Sequence, residues 1–283
     1  RDWSVTGVQT CALPIYYGYD LDGHITGQDF SDHCKPAGGA APNNVFPDGN
    51  NGIDNAFGRV LLPIIKTAAA TSVSDLEAEL NSAIAEGSFN IMVNIKNLGD
   101  GANYDPLDSL LLAGKNGVGN TWQVVPEFLN NPADIESSKV KFPASYLTDN
   151  TWVSGDKGRV ELSLAIAGFE LSLNIESAVL SMKLDASHGS ATEGVIAGVL
   201  DTEDLISQLR AVLGAVDPSF CEGTAVEGIL NQIRQASDIM KDGTQDASAT
   251  CNGISIGLGF DATVVTLDGI GEPAEPQPPP CEE

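Results

Sequence analysis

Four stretches of the chain alternate between apolar and polar residues, and this alternation constrains the fold more than any other feature. They read FNIMVNIKNL at 89–98, VELSLAIA at 160–167, FELSLNI at 169–175 and AVLSMKL at 178–184. Successive side chains of a strand point to opposite faces of its sheet, so each stretch predicts a strand with one buried face and one solvated face. Strands of this kind, joined by short turns, are typical of antiparallel sheets. The sequence therefore predicts an α+β, β-rich chain built as an antiparallel β-sandwich.

About three short helices complete the predicted fold. SDLE at 74–77 is a capping box, and the helix that it opens is predicted to end at Gly87. Thr202 is predicted to cap a second helix that stops at Gly214. TAVE at 224–227 opens a third helix, which is predicted to run through Met240 and to end at Gly243.

The first fifteen residues, RDWSVTGVQTCALPI, resemble an indexed short-read sequencing adapter translated in frame, without a mismatch. A segment of that origin is left out of fold prediction. We therefore expect residues 1–15 not to be native and the true N-terminus to be missing. Whether a signal peptide or a lipid anchor precedes Tyr16 is therefore an open question. The alternative is a genuine apolar N-terminal segment.

The rest of the chain divides by composition into three parts. Residues 16–58 are rich in Gly, Asp and Asn and predict a loop region, and residues 59–270 predict the β-sandwich domain with its helices. Residues 271–283, GEPAEPQPPPCEE, predict an extended proline-rich tail.

The charge balance excludes one class of partner. The chain has 14 Lys and Arg against 39 Asp and Glu, a net charge of −25. Such a chain repels phosphate backbones, so nucleic acid is not an expected partner. No apolar run reaches the length of a transmembrane helix, so no membrane span is expected in the native part.

The cysteines predict disulfides and an oxidising compartment. Without Cys11 of the adapter-like segment, four widely spaced cysteines remain: Cys34, Cys221, Cys251 and Cys281. None forms a CxxC pair, and four cysteines allow three pairings. We favour Cys221 with Cys251, which bracket one predicted helix, and Cys34 with Cys281. The alternative is four buried free thiols in a cytosolic protein.

A calcium site is predicted in the loop region. DLDGHITGQD at 20–29 can be laid on an EF-type loop, although Gly18 stands where a carboxylate would come first. PDGNNGIDN at 47–55 adds oxygen donors nearby, and both stretches resemble the calcium loops of dockerin and thrombospondin type 3 repeats. The predicted ligands are Asp20, Asp22, Asp29, Asp48 and Asp54. The alternative is a pair of Asx turns without a metal.

The motifs that would indicate catalysis lack their context. GISIG at 253–257 matches the GxSxG nucleophile elbow, but strand-like alternation follows it and no histidine comes after Ser255. GLGFDA at 257–262 resembles a dinucleotide fingerprint without the helix that would bind a pyrophosphate. His24, His33 and His188 are read as exposed residues without a function, and Glu170 and Glu176 as a pair on a solvated strand face. No catalytic residue is assigned.

The stretches DLDG at 20–23, PDGNNGIDNAFGRVLLP at 47–63 and DGTQDASATCNGISIGLGF at 242–260 resemble a group of secreted or lipoprotein-like proteins of myxobacteria. The resemblance spans most of residues 16–283. That group has no assigned activity, so the resemblance implies an extracytoplasmic location, secreted or anchored to the outer membrane, and no catalysis.

Two functions follow from these observations as hypotheses. The preferred one is a non-enzymatic binding or structural protein of the cell surface, whose loops present aromatic side chains such as Tyr104, Trp122, Tyr146 and Trp152 to a sugar or an apolar ligand. The alternative is a secreted hydrolase acting on extracellular polysaccharide. A cleft that gathers carboxylates with perturbed ionisation would favour the enzyme, and a shallow aromatic strip without them would favour binding.

Overall fold

Strands make up most of the described chain. The computed structural model describes residues 2–9, 16–26, 32–40, 48–64, 76–166, 169–216, 221 and 224–274. The strands are β1 (Asp2–Gln9), β2 (Asn90–Ile95), β3 (Tyr104–Val118), β4 (Thr121–Val124), β5 (Val140–Thr148), β6 (Thr151–Val153), β7 (Gly158–Ile166), β8 (Phe169–Leu184), β9 (Ser190–Asp201) and β10 (Gly253–Ile270). The helices are α1 (Leu76–Ala85), α2 (Thr202–Val216) and α3 (Thr224–Arg234), with a π-helical turn at Phe57–Leu61. Short 3₁₀ turns lie at Ala37–Gly39, Asn50–Gly52, Pro126–Phe128 and Ile135–Ser137.

The sheet closes on itself, so the prediction of a β-sandwich is wrong. Eight strands form one antiparallel ring in the order β1-β2-β3-β5-β6-β8-β9-β10, and β10 pairs again with β1. The result is a β-barrel. Alternation in the sequence shows that one face of each strand is buried, but the same pattern serves a sandwich and a barrel. What decides between them is whether the first and last strands pair.

Strand β1 makes that closing pair. Its residues pair on one side with β10, for example Trp3 with Val264, and on the other side with β2, where Trp3 lies opposite Val93. The Trp3 side chain is only 1% exposed and belongs to the larger apolar core. Segment 2–9 was left out of the fold prediction because of its resemblance to an adapter, and this omission removed the closing strand. The origin of residues 1–15 stays a prediction.

Two strands lie outside the eight-stranded ring. Strand β7 pairs with β8, and β4 pairs antiparallel with β3 and parallel with β10. The larger core takes residues from the barrel strands, from the three helices and from the π-helical turn, among them Leu111, Leu180 and Ile254. A smaller core that includes Met92 and Trp122 lies where β4 bridges β3 and β10.

The three predicted helices form, with corrected ends. Helix α1 spans Leu76–Ala85, and Ser74 of its predicted cap lies outside the described residues. Helix α2 begins at Thr202, but Asp201 supplies the capping oxygen, because its Oδ1 accepts hydrogen bonds from the backbone N–H groups of the next turn. Helix α3 ends at Arg234, well before Gly243, because Ile239 pairs with Gly253 at the start of β10 instead of continuing the helix. No helix in the described ranges is long and apolar enough to cross a membrane.

The disulfide pairing differs from the favoured prediction. Cys34 is bonded to Cys251, 217 residues away, and both side chains are buried. Cys221 is also disulfide-bonded. Cys281 lies outside the described residues. The bond between Cys34 and Cys251 joins segment 32–40 to the residues just before β10. There the backbone N–H of Cys251 also donates to the carbonyl of Lys35 at 2.9 Å.

Replacement of Trp3 tests whether β1 closes the barrel. We expect Trp3→Ala to lower the free energy of unfolding by about 3–5 kcal/mol, because it removes a large side chain from the core and leaves a cavity. Thr6→Ala changes an exposed residue of the same strand and is expected to stay within about 0.5 kcal/mol of the parent. Urea denaturation followed by far-UV circular dichroism measures both. Equal stability of Trp3→Ala and the parent would show that β1 does not occupy this place in solution.

Candidate functional site

The outer face of β10 organises the site. Ile254 and Ile256 point into the barrel core, so the residues between and after them, Ser255, Gly257 and Gly259, face outward. Segment 16–26 and residues 53–56 lie over this outer face. The side-chain amide of Asn55 donates to the carbonyls of Tyr17 and Gly257, both at 2.9 Å. These bonds hold the loop region against the barrel.

Ser255 is a structural residue and not a nucleophile. Its side chain is fully buried, its Oγ donates to Oδ2 of Asp238 at 2.5 Å, and the backbone N–H of Ala56 donates to Oγ at 2.8 Å. Strand β10 continues through Ser255 without the sharp turn that a nucleophile elbow requires. The GxSxG match therefore reflects the need for small residues on this face of the strand.

Asp238 is the site residue that sequence reasoning missed. It was placed inside the third predicted helix, whereas it lies after that helix and accepts hydrogen bonds from both the backbone N–H and the hydroxyl of Ser255. Burial raises the pKa of Asp238 to about 7, although the hydrogen bonds from Ser255 and the charge of Arg59 act in the opposite direction. Nothing in the local sequence distinguishes this aspartate from a solvated one.

The structure brings three of the five predicted calcium ligands together. Asp20, Asp22 and Asp54 each offer a carboxylate oxygen, and these oxygens lie within 4.8 Å of one another. Asp54 is only 3% exposed, and its Oδ2 accepts a hydrogen bond from the backbone N–H of Leu21 at 2.7 Å. Burial, with the charges of Asp238 and Asp22 acting in the same direction, raises the pKa of Asp54 to about 9. We call Asp20, Asp22 and Asp54 the acidic pocket.

The other two predicted ligands are not in the acidic pocket. Asp48 accepts a hydrogen bond from the backbone N–H of Thr26 at 2.6 Å, and burial raises its pKa. Asp29 lies outside the described residues. The site is therefore formed by two distant segments, 20–22 and 54, and not by one EF-type loop.

The acidic pocket has features of both alternatives predicted from the sequence, a calcium site and a pair of Asx turns. Oδ1 of Asp20 accepts from the backbone N–H of Gly23 at 2.7 Å, and Oδ1 of Asp22 accepts from that of His24 at 2.8 Å, so both Asx-type turns form. Three carboxylates are also the oxygen ligands that a hard divalent cation prefers. Gly52 leaves room beside them, because a Cβ at this position would lie 3.2 Å from the carboxyl carbon of Asp20. The residues present thus fit a calcium ion.

Two of the three histidines are buried, which corrects the prediction that all are exposed. Nε2 of His33 lies 2.7 Å from the hydroxyl of Thr26, and Nδ1 of His188 lies 3.0 Å from the carbonyl of Gly99. Only His24 is exposed.

Of the two carboxylates read as a pair on a solvated strand face, the structure describes the side chain of Glu176. Glu176 forms an ion pair with Arg159 at 3.3 Å, and both side chains are partly solvated. The structure describes the backbone of Glu170 within β8 but not its side chain.

The aromatic residues singled out from the sequence do not form a surface. Trp122 belongs to the smaller core and Trp152 to the larger one, and both are buried. Tyr104 is half-buried, and its hydroxyl accepts a hydrogen bond from the backbone N–H of Gly101 at 3.0 Å. Tyr146 is half-buried on β5. Two of the four residues predicted to present a binding platform, Trp122 and Trp152, are therefore core residues.

A groove on the outside of the barrel is lined instead by Tyr16, Tyr17 and Tyr19. Its volume is about 530 Å³. These tyrosines form the cluster YYGY at 16–19, and three aromatic residues within four positions of a loop are the signal that sequence reasoning left unused. We call this feature the tyrosine groove.

Two glycines of β10 allow the tyrosines to lie against the barrel. A Cβ on Gly257 would come within 2.3 Å of the carbonyl oxygen of Tyr17, and a Cβ on Gly259 would come within 2.4 Å of the Tyr17 ring. Side chains at either position would push segment 16–19 away. The GLGFDA stretch that resembles a dinucleotide fingerprint thus has a packing role. Tyr19 is fixed by a hydrogen bond to the Ser181 hydroxyl, and burial raises the pKa of Tyr19.

The floor of the tyrosine groove is the outer surface of four barrel strands. Thr151 comes from β6, Ser181 and Lys183 from β8, and Glu193 and Val195 from β9, with Asp261 on β10. Nζ of Lys183 lies 3.8 Å from Oε1 of Glu193. The Glu193 side chain is 74% exposed, so this carboxylate is solvated.

The buried carboxyl groups predict how stability depends on pH. Because its folded-state pKa is about 9, Asp54 keeps a proton in the folded chain at pH values where the unfolded chain has released it. Its stabilising contribution is complete below the ordinary pKa of about 4 and is lost as the pH rises toward 9. Asp238 acts in the same direction up to a pH of about 7.

We therefore expect that in Asp54→Asn the free energy of unfolding decreases less steeply between neutral and alkaline pH than in the parent. Above neutral pH we expect the variant to be more stable than the parent, with both measured without divalent cations. Asp268→Asn, which changes an exposed aspartate of β10, is the matched control and should keep the parent's slope. Urea unfolding at a series of pH values measures both slopes. An unchanged slope in Asp54→Asn would mean that this carboxyl is not the group that holds the proton.

The chain was compared with protein-family models, with curated proteins and with solved structures. None of the three comparisons returned a match. A functional conclusion therefore rests on the tyrosine groove and the acidic pocket themselves.

Proposed function

We propose that this chain is a non-enzymatic binding protein that holds its ligand in the tyrosine groove. The observation that carries this proposal is the set of three tyrosines that segment 16–19 places over the barrel's outer face. Side chains of this kind combine a flat apolar ring with a polar hydroxyl, and pockets with a few polar groups among aromatic ones are the usual form of small-molecule sites. The groove volume of about 530 Å³ suits a ligand of that size.

The position of the charged groups favours binding over hydrolysis. A glycoside hydrolase needs one carboxyl that stays protonated near neutral pH, which requires burial in an apolar environment. The carboxyl groups with strongly raised pKa values are those of Asp54 and Asp238. Both are buried where the loop region meets the barrel, and neither is among the residues that line the groove. Glu193, which does line it, is solvated and paired with Lys183.

We propose an extracytoplasmic location for this binding protein, secreted or anchored at the cell surface. The disulfide between Cys34 and Cys251, with a further disulfide at Cys221, supports an oxidising compartment. A lipid anchor upstream of Tyr16 is part of the same proposal, and it rests on the resemblance to lipoprotein-like proteins.

Fluorine NMR of the full chain labelled with 3-fluorotyrosine tests the binding function. The chain has five tyrosines, and three of them line the groove, so Tyr104, which is not among the lining residues, serves as the internal reference. The labelled chain is titrated with compounds of a small-molecule library. We expect each compound that binds to shift the resonances of Tyr16, Tyr17 and Tyr19 and to leave the resonance of Tyr104 unchanged.

The same preparation is assayed for release of reducing ends from polysaccharides. Turnover that Glu193→Gln or Asp261→Asn abolishes would show an enzyme and contradict the proposal. A library that shifts no groove tyrosine would contradict it as well.

We further propose that the acidic pocket holds a structural calcium ion. Three carboxylate oxygens within 4.8 Å supply hard ligands, and backbone carbonyls or water would complete the shell. A cation there would join segment 20–22 to residue 54 and so add order to a loop region with few apolar residues. The ion's role is structural, and the proposed ligand site remains the tyrosine groove.

Calorimetric titration with calcium chloride on the full chain tests this second proposal. We expect heat from one site and a rise in melting temperature, and we expect both to disappear in Asp22→Asn. Asp268→Asn is again the control, because it removes one negative charge elsewhere on the surface. Absence of binding in the parent, or equal binding in Asp22→Asn, would contradict a site at these residues.

A further inference from the structure

The polar lining of the tyrosine groove indicates which class of ligand it takes, and this inference rests on the proposed binding function. We propose that the ligand is a neutral carbohydrate, a segment of one or two sugar rings within an oligosaccharide or polysaccharide. The proposal is reached from the charges of the groove, its hydroxyl groups and the placement of its aromatic rings.

Charge excludes an anionic ligand. Glu193 and Asp261 both line the groove, and Lys183, the one cation among the described residues of its lining, lies 3.8 Å from Glu193. The lining therefore carries one more negative group than positive groups, on a chain with a net charge of −25. A phosphate, a sulfate or a uronate would enter against this field.

Lys183 also disfavours a cationic ligand. Three aromatic rings beside carboxylates could form a cage for a quaternary ammonium group, since such groups bind to the faces of aromatic rings. In this groove the Lys183 ammonium belongs to the same lining, and it would repel a second cation. Its pairing with Glu193 offsets one of the two carboxylates in the lining, so the negative charge left to attract a cation is that of Asp261.

The remaining groups match a polyhydroxylated ring. Hydroxyls of the three tyrosines, Thr151 and Ser181 can each donate and accept, and the carboxylates accept from pairs of adjacent hydroxyl groups. A pyranose presents an apolar C–H face and a rim of hydroxyl groups. An exposed aromatic ring above a polar floor complements both, because it contacts the C–H face while the floor bonds to the rim.

Tyr16 is the side chain best placed to contact a sugar ring. It is 58% exposed, whereas the Tyr17 ring lies on Gly259 and Tyr19 is bonded to Ser181. Truncation of Tyr16 therefore removes ligand contact without removing a contact on which the fold depends. Ile25 is exposed in the same loop segment and is not among the lining residues, which makes it the matched control.

The test is a titration of the full fluorotyrosine-labelled chain with single probes: maltotetraose, cellotetraose, xylotetraose and chitotetraose as neutral saccharides, tetragalacturonate as an anion, and choline chloride as a cation. We expect at least one neutral saccharide to shift the groove tyrosines and to bind more tightly than the anion and the cation. We expect Tyr16→Ala to weaken that binding by about fivefold to tenfold, Tyr16→Phe to retain most of it, and Ile25→Ala to match the parent.

The outcomes separate this inference from the proposed function. Preferential binding of choline or tetragalacturonate at the groove tyrosines would overturn the carbohydrate class and leave the binding function standing. Binding of a neutral saccharide that Tyr16→Ala does not weaken would place the carbohydrate elsewhere and overturn the inference. Failure of all four neutral saccharides at millimolar concentration would overturn it too, while the library experiment decides the binding function by itself.

Discussion

The two faces of strand β10 meet opposite requirements, and the fold and the candidate site both depend on this division. Ile254 and Ile256 fill the barrel, whereas Ser255, Gly257 and Gly259 on the other face have almost no side chain. A strand with large residues outside would be covered by an apolar layer. Here the small residues let polar loop backbone lie directly on the sheet, which brings the tyrosines over the barrel and buries the carboxyl group of Asp238 beside Ser255.

The contact between the loop region and the barrel is mostly polar and therefore buries carboxyl groups, and this burial raises their pKa values. The side chain of Gln245 connects several of its parts, because it donates to Asp22 at 2.7 Å and to the carbonyl of Asp238 at 3.1 Å and accepts from the backbone N–H of Cys34 at 3.0 Å. Such a network orders the segment only if each buried group has a partner. Segment 16–26 therefore lies on the barrel through hydrogen bonds and carboxyl groups, with the side chains of Leu21 and Tyr19 among its apolar contacts.

The sequence predicted the parts of the structure that depend on local pattern. Alternation located β2 and β7, while the two stretches predicted as separate strands at 169–175 and 178–184 form the single strand β8. The three predicted helices form with other ends, and the density of aspartates located the acidic pocket. It did not predict closure, because closure depends on the pairing of β1 with β10, two segments at opposite ends of the chain. It missed Asp238 for the same reason, since the burial of that carboxyl arises from contacts with Ser255, 17 residues further along the chain. The glycines of GLGFDA were noticed for a reason unrelated to what they do, because their role is visible only when Tyr17 is placed above them.

Closure of the barrel also limits which strand edges can pair with another chain. Of the described strands, β7 is the one that pairs along a single side, through β8. A free strand edge offers unpaired backbone groups to any extended chain nearby, and in natural proteins charged residues commonly guard it. Arg159 and Glu161 project exposed charges from the first part of β7. In the described part of the chain, an acidic barrel with one charge-bearing strand edge has few places where strands of another copy could add, so high concentration would not readily turn such molecules into fibrils.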